Sequence, residues 1–517
     1  MIWHIFKKDA RRLWWEAAIT LGLLAWFAHL DRWRADYTPG FAEGWLNVLL
    51  PFAWAVLAGV LVLQDPLVGD REFWVTLPCR WRSMLGAKAL FLLAFIHLPY
   101  FLAQFAILAA RGFQPFAFLP HLLWKQAALF LVVTLPAAAL AALVRNVVQY
   151  LLAALLMAAA VVFLAGNVDI MAMPWAPWDA ARLWIALLVV VVGALAVALA
   201  QYRRRSTAVA RGVGIAAAAL AAALYAWLPR ESTAAVKCAF LPAPATGPFS
   251  VELSPQQEPL PPGLAFSRSP GAPVTIALPL EISRWTPDAP LRIDQLALEI
   301  QAGGQRYKTS ARFSRVDPNA ALYGYLWRSD RRPYEILAVR QTVYDGAKDK
   351  PVTVKGAIVA EYRRLGTAVR IPMSARADAP GLGKCYSALV EGRGLWQGSM
   401  FKVNCESPDP IPYPTTVLLQ DQKAGRVWRH SLGDATTVVG YPRNTWLSPL
   451  NHRTTFFQLT TEENYQKHQS GSQWLVPEEA LSAATLEAVP EPSTGCKVVK
   501  YEFRNVSLPK FALPPAK

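Results

Sequence analysis

The chain has 517 residues, of which 54% are hydrophobic and only 17% charged, with a formal net charge of +16. That length exceeds one ordinary domain, and so apolar a composition excludes a disordered chain and points to a membrane protein. The basic excess is not a nucleic-acid footprint: it divides into +8 in residues 1–228 (18 Lys and Arg, 10 Asp and Glu) and +8 in residues 229–517 (34 and 26), with no single soluble patch.

Residues 1–12 carry Lys7, Lys8, Arg11 and Arg12 ahead of the first apolar run. That run lacks a small-x-small cleavage site at its end and is long for a signal peptide, so it reads as a retained span. Candidate spans fall at 13–30, 45–63, 89–110, 121–143, 147–164, 181–200 and 212–228. Each is about 17–24 residues, enough to cross a ~30 Å hydrocarbon core at ~1.5 Å per residue. The resulting fold class is an all-α bundle of about seven transmembrane helices. Only Val144–Asn146 separates the fourth and fifth runs, so a helical hairpin is required there.

Charge sets the orientation. With the N-terminus in the cytoplasm, 13 Lys and Arg residues fall on cytoplasmic segments; five (Arg32, Arg34, Arg111, Lys125 and Arg182) fall outside. The long polar segment Gln64–Lys88 lies on the basic side between the second and third spans. Asp70 and Glu72 stand where the positive end of a short helix favours acids. Phe73, Trp74 and Leu77 share one face, and Pro78 stops the helix. The segment reads as a short amphipathic helix at the membrane surface.

The run Asp70-Arg71-Glu72-Phe73-Trp74-Val75-Thr76-Leu77-Pro78, followed by basic residues and a new span, resembles the loop after the second span in type 2 ATP-binding-cassette permeases. It departs from that pattern at Phe73-Trp74, where Gly is common, and at Cys79-Arg80-Trp81. The resemblance covers the loop by motif and residues 1–228 by layout. It implies a permease subunit of an exporter in a bacterial cytoplasmic membrane, paired with a second permease subunit. ATP would be bound by a separate ATPase subunit, docked on Asp70, Arg71, Glu72, Phe73, Trp74 and Pro78. The rival reading is a membrane-anchored receptor or scaffold, for which a single span would suffice.

Polar side chains within the spans include Glu16, His97, Gln104 and Gln149. Glu16 is close enough to a span end to reach water, and His97 beside Pro99 suits a freed carbonyl. There is no acid–base chain of the kind that moves protons.

After Leu228 nine prolines between Pro242 and Pro273 mark a linker over 229–273. From residue 274 to 517 alternating apolar and polar positions read as an extracytoplasmic all-β domain of one or two sandwiches. Expected strands include a hairpin turning at Gly303-Gly304, then Ile336–Tyr344, Val352–Tyr362, Ala368–Ala375, Met400–Val403, Thr416–Gln420, Arg426–His430, Thr436–Val439, Thr454–Leu459 and Lys497–Val506. Four of the five cysteines lie in this half, as an oxidising compartment favours. Loop length selects Cys385–Cys405, leaving Cys238 to join Cys496.

Catalytic motifs are missing. Gly303–Thr309 fails as a phosphate loop, because Tyr307 stands where Gly must precede Lys. No H-E-x-x-H occurs, and the histidines have no metal spacing. The chain reads as a transport subunit rather than an enzyme, with no cofactor, metal or nucleic acid of its own.

Overall fold

The computed structural model describes residues 1–33, 41–65, 81–166, 177–204, 206–228, 230–239, 250–254, 273–283, 291–308, 322–328, 333–373, 376–392, 398–408, 415–430, 447–467, 475–491 and 493–513. The chain forms two compact units. One holds Met1–Asn167, Arg182–Leu228 and Asn444–Asn451; the other holds Val168–Ala181, Pro229–Arg443 and His452–Lys517.

The first unit is helical: α1 (Ile2–Arg12), α2 (Trp14–Trp33), α3 (Phe41–Leu63), α4 (Trp81–Leu92), α5 (Leu98–Ala110), α6 (Leu119–Leu129), α7 (Leu135–Ala141), α8 (Val147–Gly166), α9 (Pro177–Leu199) and α10 (Thr207–Trp227). Among the described residues five helices are long and apolar enough to cross a membrane: Trp45–Leu63, Trp81–Ala110, Pro115–Ala141, Arg182–Arg203 and Thr207–Tyr225. A sixth counts if α1 and Trp14–Asp31, bent by 74°, are taken as one span, and Val147–Leu156 is a shorter apolar helix. This is fewer than the seven expected. The first expected run is part of the bent pair, and the fifth lies in α8, whose stretch Val147–Leu156 is the shorter apolar helix.

Prolines shape the long helices. In Trp81–Ala110 a widened turn at Leu93–His97 precedes Pro99; in Pro115–Ala141 another at Phe130–Thr134 precedes Pro136. Proline has no N–H to give the preceding turn, and a five-residue hydrogen-bonded turn absorbs the mismatch without breaking the helix. The helical hairpin required between the fourth and fifth runs is present, with its turn at 142–146. Asn146 starts α8: its Oδ1 accepts from the Gln149 N–H (2.9 Å), while Gln149 Oε1 accepts from the Arg145 N–H (3.1 Å). Gln149 therefore belongs to a reciprocal helix cap, not to an intramembrane site. α8 closes on α3 at Gly59, where a Cβ would overlap the Tyr150 ring, and Tyr150 Oη donates to the Ala55 carbonyl (2.7 Å). Small residues allow this approach, as they do where Gly193 faces Ala217.

The second unit is β-rich. It begins with α11 (Arg230–Ala239), then β1 (Val251–Leu253), β2 (Val274–Ile282), β3 (Leu291–Ala302), β4 (Gln305–Lys308), β5 (Leu322–Arg328), β6 (Pro333–Val339), α12 (Gln341–Ala347) and β7 (Val352–Arg363). It continues with β8 (Val369–Ile371), β9 (Ala377–Ala379), β10 (Gly383–Gly392), β11 (Gly398–Ser407), β12 (Thr415–Asp421), β13 (Arg426–His430), β14 (Asn451–Thr460), α13 (Glu462–Lys467), β15 (Leu475–Pro477), β16 (Ala484–Pro490), β17 (Ser493–Val506) and α14 (Leu508–Phe511).

Sheets β1-β2-β6-β5 and β17-β7-β3-β4 share one core, in which Leu278, Leu337 and Val339 of the first meet Ile300, Val354 and Phe503 of the second. Sheets β15-β14-β11-β10-β9 and β13-β12-β16-β8 share another, built on Phe401, Phe457, Leu419 and Trp428. Two sandwiches result, and the second is inserted between β7 and β17, which pair antiparallel along most of their length. Gly303 and Gly304 both take positive φ (54° and 81°), closing the β3–β4 hairpin in two residues.

Three strand and linker expectations are corrected. The stretch Ile336–Tyr344 is not one strand. β6 ends at Val339, and Val343, Tyr344 and Ala347 then repeat at a helical spacing in α12, which packs on the first core. Residues 229–273 are not wholly irregular. α11 lies ahead of Pro242 and sets Ala234 and Cys238 against Leu296, Ala357 and Val359 on the outer face of β3 and β7. Ala368–Ala375 contributes only β8, with β9 beginning at Ala377. Thr436–Val439 lies outside the described residues.

Candidate functional site

Two clusters of polar groups stand out among the described residues of the helical unit. The first surrounds the base of the 66–80 loop. Lys88, on α4 and only 3% exposed, donates to the Leu61 carbonyl in the last turn of α3 (2.6 Å) and lies 3.1 Å from Asp65. Lys8 of α1 donates to the same carboxylate (2.8 Å). Asp9, fully buried, stands 3.8 Å from Lys88 Nζ and 3.5 Å from Lys8 Nζ. Burial alone would raise the Asp65 carboxyl, but Lys88 and Lys8 hold it below the ordinary aspartate value. Lys88 thus caps a carbonyl left open at a helix end and, together with Lys8, faces the two acids. At another helix end, the α7 C-terminus, Gln201 donates to the Ala142 carbonyl (2.9 Å) and Arg211 to that of Leu143 (3.1 Å).

The apolar companion of this cluster is α1. Trp3 stacks on Phe6, and Phe6 in turn meets Phe91 and Phe95 (6.4 and 6.2 Å between ring centres). Its basic residues Lys7, Lys8, Arg11 and Arg12 leave it amphipathic, as a helix lying along a membrane surface is.

The second cluster joins the ends of α2, α5 and α6 to residues 447–450. Tyr100 Oη and Gln104 Nε2 both donate to the Leu447 carbonyl (3.0 and 3.3 Å). Lys125 Nζ donates to the Ser448 carbonyl, and Ser448 Oγ to Asp31 (3.1 Å). Arg111 donates to the Asp31 carbonyl (2.6 Å). Beyond them, the Gln126 amide bridges His97 and Gln104 (3.3 and 3.2 Å). His97 Nδ1 thus lies beside a side-chain amide of α6. Glu16 lies in the first turn of α2, with its carbonyl taken by Thr20 Oγ1 (2.8 Å).

The sequence-derived docking residues Asp70, Arg71, Glu72, Phe73, Trp74 and Pro78 lie outside the described residues, as does Cys79. What the structure does describe are the two anchors of their loop, Asp65 and Lys88. Sequence reading passed over Asp65 and took Lys88 only as one of the basic residues that close the segment. The available signal was an acid and a lysine flanking one loop, each at the end of an apolar run.

In the β unit Cys238 is bonded to Cys496 and Cys385 to Cys405. The first pair ties α11 to β17, and the second joins directly opposed residues of β10 and β11. Among the described residues no group of three or more His, Cys, Asp or Glu is placed to hold a metal. One buried acid stands out. Glu335 of β6 points between the sheets and accepts from Tyr501 Oη of β17 and from Gln295 Nε2 of β3. Its burial raises the carboxyl to about 7. Tyr501 fits because its cross-strand partner is Gly356, where a Cβ would overlap the phenol.

No family model, no curated protein and no solved structure matches this chain.

Proposed function

We propose that this chain is the membrane-spanning permease subunit of an ATP-binding-cassette exporter, driven by a separate ATPase subunit that grips the 66–80 loop. The observation that supports this most is the clamp at the loop's base. Lys88 ties the last turn of α3, the first part of α4 and α1 into one buried ion cluster. A displacement applied to the loop is therefore delivered to three helices together, which is what a nucleotide-driven motor outside the bilayer requires. In this reading the N-terminus and the loop face the cytoplasm, and the disulfide-bonded β unit faces the oxidising side. A second permease subunit completes the transporter, and ATP is held by the partner ATPase.

The test is recovery of a nucleotide-hydrolysing subunit with the detergent-extracted protein from its native membrane. The wild-type chain should carry the hydrolase. A variant with Arg71→Ala and Trp74→Ala should insert at the same level and lose it. Equal recovery with both proteins, or none with either, would reject the reading.

A further inference from the structure

Residues Asn444–Asn451 are separated from the rest of the helical unit by more than 200 positions of sequence, yet they pack as part of it. The described part, Leu447–Leu450, is held in a manner unlike an ordinary loop. Leu447 and Leu450 are completely buried, in a core shared with Phe27, Leu46, Trp54, Tyr100, Ile107 and Leu122. Main-chain carbonyls of two successive residues, Leu447 and Ser448, take three donors from side chains of α5 and α6: Tyr100, Gln104 and Lys125. The Ser448 hydroxyl is fixed by Asp31 of α2 and accepts from the Leu450 N–H (3.2 Å).

The pocket offers side-chain donors to a peptide backbone and apolar space to two leucines. Tyr100 and Gln104 are at most 1% exposed. Donors placed that deep in an apolar bundle are costly unless an acceptor arrives with the segment that fills the pocket. Lys125 reaches the Ser448 carbonyl and Asp31 accepts from the Ser448 hydroxyl, so both charged side chains of the pocket engage the segment. Backbone carbonyls and spaced apolar side chains are the features by which short peptide segments are recognised.

We infer that the Tyr100–Gln104–Lys125–Asp31 pocket is a recognition site for a short leucine-bearing peptide turn, occupied in this structure by the chain's own residues 447–450. The segment is a tethered ligand, and its length of chain outside the pocket holds it at high effective concentration. A free peptide of the same chemistry binds when the tethered copy is weakened. The inference goes beyond the transporter reading, because binding is measured with no nucleotide or ATPase present.

The experiment uses the full chain in lipid nanodiscs and a fluorescently labelled octapeptide, Asn-Thr-Trp-Leu-Ser-Pro-Leu-Asn, copied from positions 444–451. Leu447→Gly with Leu450→Gly loosens the tethered copy. Leu447→Ala replaces that variant if its thermal midpoint shows that it is unfolded. The loosened protein should bind the peptide at least about tenfold more tightly than wild type. Adding Lys125→Met should weaken that binding roughly tenfold, the scale of a lost hydrogen bond to a charged group. A control peptide with both leucines changed to serine should not compete. Absence of saturable binding to the loosened protein overturns the inference, as does binding indifferent to Lys125→Met or to loss of the leucines.

Discussion

Lys88 Nζ lies 2.6 Å from the Leu61 carbonyl and 3.1 Å from the Asp65 carboxylate, so one cation of α4 closes the end of α3 and holds the acid just beyond it. The two side chains are 23 positions apart in sequence. The Lys88 ammonium is buried among partners, and the arrangement is safe only while all of them are present.

Removing one member should therefore cost more than removing two. Lys88→Met leaves Asp65 and Asp9 with only the more exposed Lys8 as their cation and should destabilise the helical unit by about 3 kcal/mol. Lys88→Met combined with Asp65→Asn should recover part of that loss. A double-mutant cycle on thermal midpoints in one detergent reads the coupling, and strict additivity would show that the pair is not coupled. The pH dependence follows from Asp65, whose carboxyl is held below its ordinary 3.8. Its contribution is present above about pH 3.8 and disappears as pH falls through the lower, folded value.

Contact between α3 and α8 depends on Gly59. Gly59→Ala would drive a methyl group into the Tyr150 ring and should lower stability by about 1–3 kcal/mol, the usual cost of overpacking. Tyr150→Leu in the same chain should remove that penalty while giving up the hydrogen bond to Ala55. If Gly59→Ala is silent in chemical denaturation, the two helices are not in contact at this point.

Glu335 makes the β unit pH-sensitive in the direction opposite to Asp65. Its carboxyl sits at about 7 when folded against an ordinary 4.5. Folding therefore favours the protonated acid. The advantage is complete below about pH 4.5, declines as pH rises towards 7, and is absent above it. At 1.36 kcal/mol per pH unit the span is about 3 kcal/mol. Glu335→Gln should flatten that slope and stabilise the fold at pH 8. Hydrogen exchange at β3, β6 and β17 between pH 5 and 8 measures it, and an unchanged slope in the variant would acquit Glu335.

The two disulfides should differ in worth. Cys238–Cys496 closes a separation of 258 residues, Cys385–Cys405 one of 20. Loop-closure entropy assigns the first about 5 kcal/mol and the second about 3. Paired Cys→Ser replacements compared by unfolding midpoint give the order directly. A larger loss from the short loop would mean that local β10–β11 pairing, not chain entropy, dominates.

Much was legible because it depends on local pattern. Apolar runs of 17 to 24 residues, basic clusters at their ends and a switch to alternating strands separate a helical from a β-rich half without any contact information. Gly303-Gly304 announces its own turn, since few other pairs tolerate positive φ twice in succession. Cysteine spacing reaches the pairs Cys238–Cys496 and Cys385–Cys405 for a similar reason: ring size is written in the chain. Local pattern misleads where period and proline disagree. Val343 and Tyr344 read with the preceding strand, and the helix at Arg230–Ala239 is hidden by the prolines after it.

Sequence alone settled which segments are apolar, where charge accumulates and which cysteines share a compartment, because each follows from composition within a short window. Tertiary structure decided the rest. Lys88 meets Leu61 and Asp65 only after two helices pack, and the second sandwich interrupts the first between β7 and β17. Leu447 finds Tyr100 across 347 positions. Contacts of that separation are chosen by packing and by the need to satisfy buried polar groups, and no local spacing encodes them.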